Sequence, residues 1–172
     1  MRHLRIYWAG DMFDYKHLVG NQMLVDALAA QTGWTIRLPQ RLTPSKPTNK
    51  AIRDQDFLEV VQCDAIVAHF DGTDLDSGTV AEFMYAKFLD KPSVCFRTDF
   101  RGAGDQVKGD PWNLMLSNYP RNVNVNVHGL HLLQDHGHDL ESYLSDLALK
   151  VQIGVEQAIE LENGEGVHLY ER

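Results

Sequence analysis

The chain has only two cysteines, Cys63 and Cys95, far apart and outside any shared motif. That excludes a disulfide framework and leaves two reduced, buried thiols as the expectation. No apolar run approaches the roughly 18 residues that read as a membrane span. The start, "MRHLRIYWAG", passes straight into a strand pattern without the apolar core and cleavage site of a secretory leader. A cytoplasmic location and no membrane partner follow as expectations. Positive charge is scarce: 16 Lys and Arg stand against 24 Asp and Glu, a formal charge of −8. An extended nucleic-acid interface needs basic clusters, so a polymer of that kind is excluded as a partner. A small neutral or cationic ligand is easier to accommodate. No GxxxxGK[ST] motif is present. The "GAGD" of residues 102–105 neither follows a strand directly nor opens a helix, so it is no dinucleotide loop. Repeats and low-complexity blocks are also lacking.

The 172 residues suit a single domain over residues 1–172. Strand patterns fall at 4–10, 34–39, 65–70, 92–96 and 123–127. Helical patterns fall at 19–32, 50–62, 78–89 and 139–162, with a short helix at 112–117 opened by Pro111. Gly33 ends the first helix and Asn49 caps the second, whose inward face is read as Ile52, Phe57, Leu58 and Val61. Strands alternating with helices predict a doubly wound, flavodoxin-like α/β fold: a five-stranded parallel sheet with helices on both faces. Ligands in such folds sit beyond the carboxyl ends of the strands, at the switch point of strand order. Residues 7–13, 39–41, 71–78 and 97–104 therefore share one rim.

That rim carries "DGTDLDSGTVAEFMYA", residues 71–86, with Asp71, Asp74, Asp76 and then Glu82. Asp76 or Ser77 suits a helix cap, and Gly78 leaves room for close backbone approach. Glu82 lies among Val80, Ala81, Phe83 and Met84. One reading is a solvated stripe of Glu82, Ala86 and Asp90. The other is a pair of carboxylates in a pocket, one ionised and one kept protonated by its neighbour's charge. Such a pair breaks glycosidic C–O or C–N bonds by attack at the anomeric carbon and protonation of the leaving group. In "YWAGDMF", residues 7–13, Tyr7 and Phe13 either flank a flat ring or serve the core and a loop. The histidines of "HGLH" (128–131) and "DHGHD" (135–139) lack convergent zinc spacing and are read as surface loop residues. His69, inside a strand, is read in a core or supporting role.

Taken together, these pieces resemble the nucleoside 2-deoxyribosyltransferase family. "YWAGDMF", "CDAIVAHFDG", "DSGTVAEFMYA" and "WNLML" occur in the family's order over most of residues 4–117. The resemblance implies that Glu82 is the nucleophile at C1′ and that Asp76 helps bind the sugar hydroxyls. It implies that Asp71 handles the base's proton and that Tyr7 holds the nucleophile by hydrogen bonding. Gly10 and Phe13 would line the base pocket with Gln40, and Gly78 would admit the substrate. Asn113 would reach into a neighbouring subunit's site, so a homo-oligomer with shared sites is implied. The partners implied are 2′-deoxynucleosides and free nucleobases, with neither metal nor organic cofactor. The glycine-rich stretch 97–109 is expected as a mobile lid. Asp11 stands where many members have proline, and Tyr170 matches a C-terminal tyrosine of some members. Within catalysis the alternative is a nucleoside or nucleotide N-glycosidase, for which Arg97 and Arg101 are the phosphate candidates. Outside catalysis it is a nucleoside-sensing module on the same fold.

Overall fold

The computed structural model describes residues 2–102 and 111–162. Five strands form one sheet: β1 (Arg5–Gly10), β2 (Thr35–Arg37), β3 (Ala65–His69), β4 (Ser93–Arg97) and β5 (Asn122–Asn126). Their order is β2-β1-β3-β4-β5, and every neighbouring pair is parallel. This is the doubly wound, flavodoxin-like arrangement read from the sequence, with its switch point at the carboxyl ends of β1 and β3.

The side-chain period of two along β1 decides which helices cover which face. Ile6 and Trp8 point into a core built with α1 (Tyr15–Thr32) and α5 (Leu140–Glu160), through Leu24, Leu28, Val151 and Val155. Tyr7 and Ala9 point the other way, to Val60 of α2 (Asn49–Gln62) and Ala86 of α3 (Ser77–Phe88). Beyond them Phe70, Phe83, Trp112 and Leu116 form a third apolar cluster. No helix among the described residues is long and apolar enough to cross a membrane.

Several boundaries differ from the sequence reading. Helix α1 begins at Tyr15, because Asp14 accepts from the free N–H groups of Lys16 and His17. Thr48, not Asn49, caps α2. Its inward face is also different: Ile52, Leu58 and Val61 are exposed, while Glu59 and Val60 are buried. The cause is Arg5 and Arg37, which bond the Glu59 carboxylate at 2.5 and 2.8 Å and make its burial tolerable. The last helix is found as read, at Leu140–Glu160, but the histidine stretch before it, read as loop, holds a further helix. Helix α4 (Gly129–Asp135) starts where the Nδ1 of His128 accepts from the His131 N–H, and Asp139 caps α5. The short helix reduces to a 3-10 turn at Leu114–Leu116, and a second such turn spans Pro39–Arg41.

Candidate active site

Tyr7 lies in the middle of β1 and is fully buried. Its phenol donates a 2.7 Å hydrogen bond to Oε1 of Glu82. Glu82 sits one helical turn before Ala86, which is itself buried against Tyr7. The solvated-stripe reading fails here, because Ala86 faces the core and turns Glu82 inward with it. Burial raises the Glu82 carboxyl most. The Tyr7 hydrogen bond opposes that, the Asp56 and Asp76 charges add to it, and the outcome is about 7. Burial and the Glu82 charge push the Tyr7 phenol far above its ordinary value, so it remains a proton donor to Glu82.

Asp76 caps α3. Its Oδ2 accepts from the backbone N and the hydroxyl of Thr79 at 2.7 and 2.9 Å. A Cβ at position 78 would stand 3.1 Å from that oxygen, so Gly78 leaves the carboxylate its room.

Asp56 was not picked out from the sequence. It lies one turn before Val60 on α2, as Glu82 lies one turn before Ala86 on α3, and Val60 and Ala86 meet at Tyr7. Burial first, then the Glu59 charge, raise the Asp56 carboxyl to about 6. Nothing in "RDQDFLEV" marks this aspartate, since a charge on an amphipathic helix ordinarily reads as solvated. Only the packing of α2 on α3 gives it a role.

Asp71 follows β3 and is held from both oxygens. Its Oδ1 accepts from the backbone N–H groups of Thr98 and Asp99 at 2.5 and 2.9 Å, and its Oδ2 from the Thr98 hydroxyl at 2.5 Å. The Nε2 of His69 lies 3.0 Å from Oδ2, close but off the line of a well-aligned hydrogen bond. Burial alone would raise this carboxyl. The His69 charge and the hydrogen bonds outweigh burial and hold it well below the usual carboxylate range. An ionised group in this setting has no proton of its own to give.

Buried Arg97 fastens the same region from the other side. It donates to the carbonyl oxygens of Phe70, Gly72, Asp99 and Arg101. The Arg101 side chain in turn is closed on Asp99, with Nη2 2.5 Å from Oδ2.

The remaining residues drawn from the sequence have other neighbours. Gly10 ends β1, where a Cβ would meet His69, Trp8 and Asn21 at 3.3–3.5 Å, so its smallness serves packing there. Phe13 is 77% exposed on the loop before α1, and its N–H is held by Asp11 at 3.0 Å. Asp11 therefore shapes that loop. Gln40 donates from Nε2 to the carbonyl of Leu18 at 2.9 Å, while its buried Oε1 has no partner among the described residues. Asn113 caps the 3-10 turn by accepting from Met115 N–H at 2.9 Å. Around it, Trp112 and Leu116 are buried in their own subunit, whereas Leu114 (49%) and Met115 (65%) face out. The rings of His128 and His131 stack at 3.5 Å, with Phe100 on His128 at 4.5 Å. The greater part of the expected lid, from residue 103 on, and the tail with Tyr170 lie outside the described residues.

The family model for nucleoside 2-deoxyribosyltransferase matches residues 6–115. Among solved structures, a 2-desoxiribosyltransferase from Leishmania mexicana is 27% identical at a TM-score of 0.56, over 66% of this chain and 85% of that one. A conserved protein from Enterococcus faecalis V583 is 20% identical at 0.58, over 91% and 99% of the two chains. A CMP N-glycosidase from Clostridium botulinum is 14% identical at 0.51, over 84% and 98%. The last two share the fold. No curated protein matches.

Proposed function

Because the chain belongs to the nucleoside 2-deoxyribosyltransferase family, and so to enzymes that transfer or cleave nucleoside glycosyl bonds, we propose that it moves a 2-deoxyribosyl group between nucleobases through a covalent intermediate on Glu82. The observation that carries this reading is the hydrogen bond from the buried Tyr7 phenol to Glu82. A carboxylate at the rim of an α/β sheet, oriented by a phenol and surrounded by low-dielectric packing, is prepared for attack at an anomeric carbon.

In the first half-reaction a Glu82 oxygen bonds to C1′ as the C1′–N bond breaks, and the electron pair leaves with the base. Asp71, ionised at rest, handles the base's proton as the acceptor when the incoming base gives up its N–H. In the second half-reaction the nitrogen of a new base displaces Glu82 from the same face that the first base vacated, with overall retention. Asp76 accepts from sugar hydroxyls. Gly10, Gly78 and Phe13 border the ligand, and the free Oε1 of Gln40 suits an amino group of the base. Asn113 completes the pocket of a neighbouring subunit, which makes the working form a homo-oligomer. The substrates are 2′-deoxynucleosides and free bases.

The N-glycosidase reading on nucleotides is less well supported, because four of the Arg97 N–H groups already serve backbone carbonyls and Arg101 is closed on Asp99. The test is incubation with a 2′-deoxynucleoside and a different free base, followed by chromatography. A new deoxynucleoside is expected. Free deoxyribose in its place would make water the acceptor, and an unchanged mixture with tight binding would point to a sensor.

A further inference from the structure

Asp56 is a half-buried carboxyl that makes no hydrogen bond and no ion pair among the described residues. A polar group set that deep ordinarily has a partner. The cations around it are engaged elsewhere. Arg5 and Arg37 close on Glu59 at 2.5 and 2.8 Å, and Gln55 donates to the same carboxylate at 3.0 Å. On α2 itself, Lys50 and Arg53 both close on Asp54 at 2.6 Å. Burial and the Glu59 charge hold the Asp56 carboxyl at about 6, so above that pH it is an ionised acceptor with no donor.

What it faces is the site. Asp56 and Val60 share one face of α2, and Glu82 and Ala86 one face of α3. Val60 and Ala86 meet at Tyr7, and the Phe57 and Tyr85 rings close the same seam at 4.8 Å. Both helices run down from the rim, because each follows one parallel strand and leads to the start of the next. Asp56 and Glu82 therefore lie beside each other, each about 6 Å rimward of that seam. The Asp56 charge acts on both the Tyr7 phenol and the Glu82 carboxyl. The other charge acting on Glu82 is that of Asp76, which stands nearer the rim as the cap of α3, with Oδ2 taken by Thr79.

Stereochemistry decides what meets Asp56. In a displacement at C1′ the nucleophile and the leaving base occupy opposite faces of the sugar. A group level with Glu82 is on the face away from the base and cannot reach the leaving nitrogen. In a β-2′-deoxynucleoside the 3′-hydroxyl lies on that same far face, whereas the 5′-hydroxyl lies on the face of the base. A hydroxyl brings the one hydrogen that this acceptor lacks.

We propose that Asp56 receives the 3′-hydroxyl of the 2-deoxyribosyl group and so fixes the sugar face that Glu82 attacks. The assignment rests on the exchange reading given above. It leaves the rimward Asp76 Oδ1 for the 5′-hydroxyl, which divides the two hydroxyls of the sugar between α2 and α3. The donors selected are 2′-deoxynucleosides with a free 3′-hydroxyl. A 3′-phosphate is refused by charge, and a 3′-deoxy sugar by the want of a donor.

The test removes the hydroxyl and the carboxylate separately and together. The donors are 2′-deoxyadenosine or thymidine, whichever the wild type turns over, with the matching 3′-deoxy and 5′-deoxy compounds. In the wild type, loss of the 3′-hydroxyl should lower kcat/KM about 10- to 100-fold, the range of a hydrogen bond to a charged group. In Asp56→Ala the intact and 3′-deoxy donors should react about equally, while the penalty for losing the 5′-hydroxyl stays that of the wild type. If Asp56→Ala does not fold by circular dichroism, Asp56→Asn keeps the shape without the charge, and the 3′ penalty should shrink there. An undiminished 3′ penalty in a folded variant, or none in the wild type, overturns the proposal. If the wild type turns over neither nucleoside, the exchange reading fails by itself. Calorimetric binding of the same compounds then completes the cycle, and equal 3′ penalties in wild type and variant, or no binding at all, overturn the proposal as well.

Discussion

The phenol of Tyr7 and the carboxylate of Glu82, 75 residues apart in the chain, meet at 2.7 Å in the packed space between β1 and α3. Tyr7 is fixed by a sheet strand buried on both faces and Glu82 by a helix seated on that strand. The pair is thus held by two rigid elements rather than by a loop. Rigid support of this kind keeps a nucleophile within the tolerance that displacement chemistry demands.

Glu82→Gln should abolish exchange and at the same time stabilise the fold. The carboxyl sits at about 7 in the folded chain against 4.5 in its ordinary state. The folded protein therefore binds the proton more tightly, and stability falls as pH rises from about 4.5 to 7. Above that window the wild type carries the full cost, at most about 3 kcal/mol for a shift of this size. Melting temperatures of the two proteins should converge near pH 4 and separate by pH 8 in favour of Gln. An equal difference at every pH would assign the gain to something other than the Glu82 charge.

The rate of glycosyl transfer should rise with pH through about 7 as Glu82 ionises. Tyr7→Phe removes the hydrogen bond that lowers the Glu82 carboxyl, so its midpoint should move to higher pH. Asp56→Asn removes a charge that raises it, so its midpoint should move to lower pH. Rate–pH profiles of the three proteins check this. Shifts in the same direction would remove Asp56 from the site.

Much of this was legible in the chain, and the failures share a cause. Continuous apolar runs located β1, β3 and β4, which are buried on both faces, and alternating or helical periods located β2, β5 and the major helices. Asp76 could be picked out as a cap, but the residues alone left Tyr7 as core or ring-flanking and Glu82 as solvated or pocketed, and only the family resemblance joined the two. The inward face of α2 could not be phased, since Glu59 is buried only by virtue of Arg5 and Arg37 on two strands. Helix α4 was hidden by its histidines, which look solvated until His128 is seen capping it and Leu132 packing on the core. Asp56 and the His69–Asn21–Trp8 contacts are features of tertiary packing, with 48 residues between His69 and the amide that orients it. No local pattern encodes them.

Arg97→Met should destabilise the protein by about 2–4 kcal/mol, because four backbone carbonyls lose charged donors at once in a buried place. Hydrogen exchange should localise the loosening. The amides of Thr98 and Asp99, which Asp71 accepts, should lose protection along with the Phe70–Gly72 segment. If denaturant melts and exchange match the wild type, the clamp contributes nothing.

Mixing Asn113→Ala with Glu82→Ala protein should restore part of the activity that each variant lacks alone, because a mixed dimer contains one site with both native residues. The outward Leu114 and Met115 beside Asn113 are suited to an association surface. Verified subunit exchange without any recovery would place Asn113 outside its neighbour's pocket.

Asp71 and Arg97 also constrain how this protein can vary. The segment after β3 provides a carboxylate for the N–H groups after β4, while Arg97, at the end of β4, provides a guanidinium for carbonyls in both segments. Each connection thus satisfies backbone groups of the other, and neither can gain or lose a residue within Phe70–Gly72 or Arg97–Arg101 without stranding buried polar atoms. Insertions that reshape the rim must therefore enter between Gly72 and Ser77 or beyond Arg101, and a library randomised in length inside the clamp should return few folded clones. Directed evolution of the rim has its room on either side of this knot, not within it.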